Sequence, residues 1–143
     1  MIAWKTILRP LTEYTAPLWH SGLSETDRKN IETLQKKALG IIVGIKYIDN
    51  KRYYMVNNEP LSYENALNEL GLKSLEQRRE ILTSKFAIQT MKNDKHRDIF
   101  QEKENHERNL RNKPRVKELK CNTKRYYDST VPYMSRMLNG IIF

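Results

Sequence analysis

Cysteine and long apolar runs are scarce in this sequence. Cys121 is the single cysteine of the 143 residues, so no disulfide can form within the chain and a reducing compartment is expected. The longest apolar run, around residues 41–43, falls far short of the roughly 20 residues that a membrane-spanning helix needs. The first ten residues lack the long apolar block of a secretory signal. These absences predict an intracellular protein, nuclear or cytoplasmic, that is neither secreted nor bound to a membrane.

Patterns typical of catalysis or of a bound metal are missing as well. The three histidines, His20, His96 and His106, stand apart from any nucleophile motif. No paired ligand pattern such as CxxC or HxxxH predicts a zinc site, and no glycine-rich phosphate loop is present. No two aspartates are adjacent, so a paired-aspartate site for two Mg²⁺ ions is not visible. We therefore expect no catalytic residue, no metal and no cofactor in this chain.

The chain does have an excess of positive charge, and that excess lies in its second half. Lys and Arg number 26 against 17 Asp and Glu, which gives a formal net charge of +9. Residues 1–72 hold nine basic and eight acidic residues, whereas residues 73–143 hold seventeen and nine, a balance of +8. Such an asymmetry favours a polyanionic partner, ahead of an acidic membrane surface. It is also compatible with a charge that only keeps the protein in solution.

The positive charge is densest in the stretch RNLRNKPRVKELKCNTKRYY, residues 108–127. It carries eight cations against one acid, Glu118, and ends in two tyrosines whose ring faces could stack on an unpaired base. Phosphate contacts need positive charge and reach, so this composition predicts binding to a nucleic-acid backbone without sequence specificity. Two further lysines lie on the polar side of an upstream helix. The predicted nucleic-acid-binding residues are Arg108, Arg111, Lys113, Arg115, Lys117, Lys120, Lys124, Arg125, Tyr126, Tyr127, Lys36 and Lys37.

Apolar spacing predicts a mainly α protein, with a small helical bundle over residues 1–92 and a basic linker with a C-terminal appendage over residues 93–143. The bundle is predicted to have about four helices. The first covers residues 2–19 and is kinked or restarted at Pro10. The third and fourth helices begin after Ser62 and Ser74, which are good N-caps. Residues 45–61 are predicted to be an irregular loop that contains several tyrosines.

The second helix is predicted between Ser24, as its N-cap, and Gly44, as its C-cap. Its inward-facing stripe is predicted to consist of Ile31, Leu34, Ala38, Leu39 and Ile42. Beyond residue 100, the segments RVKEL and RYYDSTV are the only strand candidates, and together they predict a short β-hairpin. A last short helix is predicted over residues 134–139, closed by Gly140.

Three arginines in distinctive segments are expected to have structural roles. Arg9 is predicted to pair with Glu13, four residues further along the first helix. Arg78 and Arg79 follow the first turn of the fourth helix, where glutamates flank them, so we expect local ion pairs.

Four segments occur in an order that resembles a known family. They are ILRPLTEYTAPLW at 7–19, DRKNIETLQKKALGIIVG at 27–44, YENALNELGLKSLEQRRE at 63–80 and PYMSRMLNG at 132–140. Together they are similar to the C-terminal portion of the reverse transcriptases of jockey-like non-LTR retrotransposons, whose closing helix lies near an Arg-x-x-Asn position. The resemblance covers nearly the whole chain. It is carried by the order and spacing of the segments, because no single one of them is catalytic.

The resemblance implies the thumb of an RNA-directed DNA polymerase, together with the segment that follows it. Such a thumb is a helical bundle that grips the primer–template duplex by its backbone. The fingers and palm, with their metal-binding aspartates, would precede residue 1, so the chain is expected to be a non-catalytic fragment of a transposable element. The implied partners are nucleic acid, as an RNA–DNA hybrid or a single strand, and the fingers and palm of a polymerase.

Two alternatives remain open at this point. The near-neutral first half, with its tyrosines Tyr47, Tyr53 and Tyr54, suits a helical protein-interaction module that has no nucleic-acid role. The other alternative is a remnant that has no function of its own, because helices that lack a neighbouring domain leave apolar surface exposed. In either case the basic stretch would be a solvated linker.

Overall fold

The computed structural model describes residues 4, 6, 9–93, 95–100 and 116–140. Within these ranges the protein is mainly helical with one small antiparallel sheet, so the predicted fold class is confirmed. Two compact units can be distinguished: the first unit comprises residues 1–14 and 23–79, and the second unit comprises residues 15–22 and 80–143. The division that the sequence predicts near residue 92 stays a prediction.

Seven α-helices are assigned in the described ranges, and serine caps begin three of them. In chain order they are α1 (Arg9–Glu13), α2 (Ala16–Trp19), α3 (Glu25–Val43), α4 (Tyr63–Glu69), α5 (Leu75–Lys92), α6 (Lys124–Tyr127) and α7 (Thr130–Gly140), with 3₁₀ turns at His20–Gly22 and Arg97–Ile99. The hydroxyl oxygens of Ser24, Ser62 and Ser74 each accept a hydrogen bond from the amide three residues later, at 3.2–3.3 Å. These caps satisfy amides that have no partner within their helix, and they confirm the predicted starts of α3, α4 and α5.

Residues 45–61 form a three-stranded antiparallel sheet, and the prediction of an irregular loop is wrong. The strands β1 (Ile45–Ile48), β2 (Lys51–Val56) and β3 (Glu59–Leu61) follow one another in the sheet. Two residues join each pair of strands, and all four have a positive φ between 48° and 68°, as type I′ hairpin turns require. These residues are Asp49, Asn50, Asn57 and Asn58. Asp and Asn tolerate this left-handed conformation because their short polar side chains can bond to nearby backbone.

The hairpin predicted after residue 100 is wrong, because α6 and the start of α7 occupy the segment proposed as its second strand. Thr123 is the N-cap of α6, and its side-chain oxygen accepts a hydrogen bond from the amide of Tyr126 at 3.2 Å. In the first proposed strand, Val116 forms an isolated bridge and residues 117–119 belong to no helix or strand. The final helix is confirmed and begins earlier than predicted, at Thr130.

The apolar core of the first unit lies between α3, the sheet and α4. It is formed by the buried side chains of Leu39, Tyr54, Val56, Ala66, Leu67 and Leu72. The inward face of α3 matches the predicted stripe only in part, because its buried residues are Gln35, Leu39 and Gly40, and of these only Leu39 was predicted. Of the other predicted residues, Ile31 and Ala38 are half-buried, whereas Leu34 and Ile42 are exposed. Leu34 is 50% exposed and Ile41 is 85% exposed.

Gly40 explains why α3 is oriented in this way. A Cβ atom added to Gly40 would lie 2.5 Å from Cδ1 of Ile45, which is far closer than van der Waals contact allows. Because glycine has no side chain, β1 can approach α3 closely on this face. The sheet, which the sequence pattern did not predict, therefore covers the Gly40 side of α3 and leaves Leu34 and Ile41 on the outside.

The second unit has a separate core around α7 and the later turns of α5. Its buried residues are Ala87, Phe100, Val116, Met134 and Leu138. The hydroxyl of Thr130, the first residue of α7, donates a hydrogen bond to the carbonyl oxygen of Leu18 at 2.8 Å. Val116 lies in no helix, and its buried side chain anchors the start of a basic segment in this core.

Candidate nucleic-acid interface

Residues 116–128 carry much of the predicted basic site, and we call them the basic strap. Asn139 on α7 holds the start of the strap with two hydrogen bonds. The amide of Val116 donates to Asn139 Oδ1 at 3.0 Å, and Asn139 Nδ2 donates to the carbonyl oxygen of Val116 at 3.0 Å. With the buried side chain of Val116, this pairing fixes both the backbone and the side chain of the residue from which the strap departs.

Arg136 on α7 holds the other end of the strap. Its Nη2 donates a hydrogen bond to the carbonyl oxygen of Tyr127 at 2.8 Å. Its guanidinium carbon also lies 3.5 Å from the centroid of the Tyr127 ring, in the range of a cation–π stack. Arg136 and Asn139 are three residues apart and so lie on neighbouring positions of one helical face. One face of α7 thus fastens the strap at two points.

Between the two attachment points, the strap presents cations to solvent. Lys117, Lys120, Lys124 and Arg125 are all exposed, and none forms an ion pair with a carboxylate among the described residues. The strap contains two acids, and one of them, Glu118, lies 3.5 Å from Asn139 Nδ2. The four cations therefore keep their charge available for an external anion.

The two adjacent tyrosines of the strap are equally exposed but differ in their surroundings. Tyr126 is 46% exposed and Tyr127 is 48% exposed. Arg136 covers one face of the Tyr127 ring. The ring of Tyr126 has no hydrogen bond and no ring or cation contact in the part of the chain that the structure describes. The prediction treated the pair alike, whereas the structure distinguishes them.

The remaining predicted residues are not part of the strap. Arg108, Arg111, Lys113 and Arg115 lie outside the described residues. Lys36 and Lys37 belong to α3 in the first unit. The Nζ atom of Lys36 lies 5.0 Å from the centroid of the Tyr63 ring, so this lysine is partly occupied by a contact within its own unit. Lys37 is exposed, and its side chain forms no hydrogen bond, ion pair or cation–π contact among the described residues.

Two arginines of the first unit, Arg28 and Arg78, form ion pairs with glutamates of distant segments. Arg78 donates two hydrogen bonds to the carboxylate of Glu13, which lies 65 residues away in the sequence: Nε bonds to Oε1, and Nη2 bonds to Oε2 at 2.7 Å. The predicted local pairing of Arg78 is therefore wrong. Arg9 Nε lies 3.4 Å from the same carboxylate, as predicted for this pair. Bonding to Glu13 raises the pKa of Arg78 above its usual value.

Arg79 is fully buried, and its charge is balanced by one glutamate of a distant segment and by one glutamate of its own helix. Burial lowers its pKa, while the charges of Glu32 and Glu76 oppose that change. Glu32 in turn accepts hydrogen bonds from the Tyr63 hydroxyl at 2.5 Å and from the amide of Leu75 at 3.1 Å. Burial and the bond to Glu32 raise the pKa of Tyr63 well above its usual value. These side chains form what we call the ionic cluster of the first unit, which consists of Arg9, Glu13, Glu32, Tyr63, Glu76, Arg78 and Arg79.

Sequence reasoning missed the two residues that fasten the strap. Arg136 and Asn139 lie in the closing segment PYMSRMLNG, and the predicted binding residues do not include them. The available signal was their spacing, since an Arg and an Asn three positions apart share one face of a helix. Nothing in the sequence indicates that Val116 and Tyr127 would be their partners.

Comparisons of this chain with protein-family models, with curated proteins and with solved structures found no match. Among the described residues, no group of three or more His, Cys, Asp or Glu side chains is arranged to hold a metal ion. Within the same ranges, no helix has both the length and the apolar character that crossing a bilayer requires.

Proposed function

We propose that this chain is a non-catalytic fragment of a reverse transcriptase of the non-LTR retrotransposon type, and that its basic strap holds nucleic acid by the sugar–phosphate backbone. One observation carries the proposal. The strap exposes four cations without carboxylate partners among the described residues, and two side chains of α7 hold it in place. The order of the four family-like segments supports the assignment, and the last of them contains both Arg136 and Asn139.

The chemistry of the strap favours binding without sequence specificity. Lysine and arginine contacts to phosphates position a protein on nucleic acid but do not read the bases. Each contact releases a condensed counterion, so the logarithm of the binding constant falls linearly with the logarithm of the salt concentration. The expected slope is about −0.7 per contact for a single strand and about −0.9 for a duplex. Four contacts therefore predict a total slope of about −3.

The test is a fluorescence-anisotropy titration of the purified chain with a labelled RNA–DNA hybrid and with a labelled single strand. Affinity should fall by about 60-fold when the salt concentration rises fourfold, and by more if the basic residues that precede the strap also contribute. The four-residue variant carrying Lys117→Gln, Lys120→Gln, Lys124→Gln and Arg125→Gln should lose most of this salt dependence.

A matched variant controls for net charge. The control removes the same four positive charges through Lys→Gln substitutions at exposed positions outside the strap, namely Lys73, Lys85, Lys92 and Lys95. If the strap is the binding surface, the control should keep most of the wild-type affinity and slope. Equal losses in the two variants would mean that net charge alone drives association. An affinity that does not depend on the salt concentration, or the absence of binding, would contradict the proposal.

One observation favours the alternative of a helical protein-interaction module. Leu34 and Ile41 lie seven residues apart on α3 and are exposed, so an apolar stripe of this helix is uncovered in the described structure. Light scattering distinguishes the two functions. A defined oligomer that dissociates in an Ile41→Glu variant, with no binding of nucleic acid, would favour the interaction module.

A further inference from the structure

We propose that the strap prefers a single strand to a duplex, because an unpaired base stacks on the ring of Tyr126. This inference rests on the proposed function, since it names the form of nucleic acid that the same surface takes. The two tyrosines would then have different roles. Tyr126 would contact the base, and Tyr127, stacked on Arg136, would position the end of the strap.

The backbone of Tyr126 is held in place while its ring stays open. Its amide donates to the side-chain oxygen of Thr123 at 3.2 Å, and its carbonyl oxygen accepts from the hydroxyl of Ser129 at 2.6 Å. The next residue is fixed by Arg136. No described residue bonds to the Tyr126 ring or stacks on it, and nearly half of the surface of this residue is exposed to solvent. A fixed backbone with a free ring loses little conformational entropy when a flat ligand binds.

The surroundings of Tyr126 select a nucleic-acid base over other flat ligands. Lys124 and Arg125 immediately precede it, and both are exposed and without a carboxylate partner among the described residues. A strand that stacks a base on the ring would therefore run close to two exposed cations of the same short helix, which attract its phosphates. Aromatic rings flanked by cations are the usual means by which proteins bind single strands without reading their sequence.

A duplex cannot use this ring in the same way. The bases of a duplex are stacked on one another, so their faces are accessible only at the ends of the helix. Phosphate contacts from the strap are possible on either form. Tyr126 and Tyr127 are also consecutive residues of a helix, and their side chains diverge by about 100°. Because the two rings point in different directions, they cannot hold one base between them. This is consistent with a single stacking position at Tyr126.

The experiment compares three probes with the full-length chain at one low salt concentration. They are a single strand of about 20 nucleotides, a duplex of equal phosphate number with hairpin-closed ends, and an abasic strand that keeps the backbone but lacks the bases. Wild-type protein should bind the single strand more tightly than the other two probes. Tyr126→Ala should weaken binding to the single strand by about 5- to 150-fold, the range reported for loss of one stacked base.

The controls separate stacking from folding and from charge. Tyr126→Ala should change binding to the duplex and to the abasic strand by less than about twofold, because phosphate contacts remain. Tyr126→Phe keeps the ring and should bind like wild type. Lys124→Gln should weaken binding to all three probes, since it removes a phosphate contact. Circular dichroism checks that each variant is folded.

Two outcomes would overturn the inference, and they are distinguishable. If wild-type protein binds all three probes equally, or if Tyr126→Ala weakens all three equally, the strap binds backbone only and the proposed function stands without base stacking. If no probe shows salt-dependent binding, the proposed function fails, and this inference fails with it.

Discussion

The two units of this protein use similar side chains for opposite purposes. In the first unit, Arg78 is bonded to a distant glutamate and Arg79 is fully buried among charges. In the strap of the second unit, Lys117, Lys120 and Lys124 are exposed, with no carboxylate partner among the described residues. A cation that is paired and desolvated holds a fold together, whereas an exposed and unpaired cation is available to a partner. The environment of each charge is therefore a better guide to its role than the net charge of the chain.

Removing the charge of Arg79, a buried cation of the first unit, should have the largest effect on stability. Arg79→Met keeps most of the apolar bulk of the side chain but removes the buried cation that the charges of Glu32 and Glu76 stabilise. We expect the free energy of unfolding to fall by about 3–5 kcal/mol, as when one partner of a buried ion pair is removed. Urea denaturation followed by circular dichroism measures this change. The matched exposed variant Lys85→Met should change stability by no more than about 0.5 kcal/mol. A similar small change for Arg79→Met would show that the cluster is not structural.

Removing the attachment of the strap should have the next largest effect. Asn139→Ala deletes both hydrogen bonds to Val116 and leaves a buried amide and carbonyl unsatisfied, at a cost of about 1–3 kcal/mol. Hydrogen exchange of the Val116 amide should accelerate, and affinity for nucleic acid should fall although no cation is lost. Asn122→Ala, at an exposed position in the strap, is the control. Unchanged exchange at Val116 would contradict the proposed attachment.

The close approach of β1 to α3 gives a prediction in which two effects compete. Gly40→Ala should gain up to about 1 kcal/mol of helix propensity. The added methyl would overlap Cδ1 of Ile45, and such overpacking costs about 1–3 kcal/mol. We expect a net loss of about 1 kcal/mol on thermal unfolding. In an Ile45→Val background, which lacks Cδ1, the same substitution should cost less. Equal costs in both backgrounds would show that overlap with Cδ1 does not determine the cost of the substitution.

An effect of similar size concerns pH and Tyr63. The pKa of this tyrosine is raised by burial and by its bond to Glu32, while in the unfolded chain it is about 10. Above pH 10 the unfolded state loses the proton and the folded state keeps it, so the unfolded state binds fewer protons. The free energy of unfolding should then fall by up to about 1.4 kcal/mol per pH unit.

Melting experiments between about pH 9 and pH 11 test this prediction. Tyr63→Phe cannot ionise, so its stability should decline less steeply, and the difference from wild type should shrink as the pH rises. Tyr47→Phe, at a well-exposed position, should follow the wild-type curve. Parallel curves for wild type and Tyr63→Phe would contradict the assigned burial of Tyr63.

Features of the fold that depend on local sequence were predictable. The starts of α3, α4 and α5 were found because Ser24, Ser62 and Ser74 bond to amides only three residues away. Gly44 ends α3 as predicted, with a positive φ of 85°. A cap and its partner lie within one turn, so a single sequence contains the whole interaction.

The sheet was missed although its turns have a sequence signal. The pairs Asp49–Asn50 and Asn57–Asn58 are two-residue connections between tyrosine- and valine-containing segments, and such residues tolerate a positive φ. Neither of these two turns has the stronger Asn-Gly pair. Without the sheet, the inward face of α3 was assigned from apolar spacing alone, and the role of Gly40 as the contact point for β1 could not be seen.

The attachment of the strap could not be predicted, because it depends on long-range pairs. Arg136 and Asn139 bond to residues 9 and 23 positions away, across turns whose geometry the sequence does not specify. The basic composition of the strap was visible, and four of the predicted cations are exposed there. The difference between Tyr126 and Tyr127 was not visible, because it arises from the position of Arg136.

The two-point attachment of the strap also determines how a protease would act on this chain. Trypsin-like enzymes cleave after Lys and Arg in exposed segments without regular structure, and Lys117 and Lys120 are such positions. After a cut there, Val116 stays bonded to Asn139, and Tyr127 stays stacked on Arg136. We expect the nicked protein to migrate as two fragments under denaturing conditions but to remain one particle in native solution, and bound polyanion should slow the cleavage.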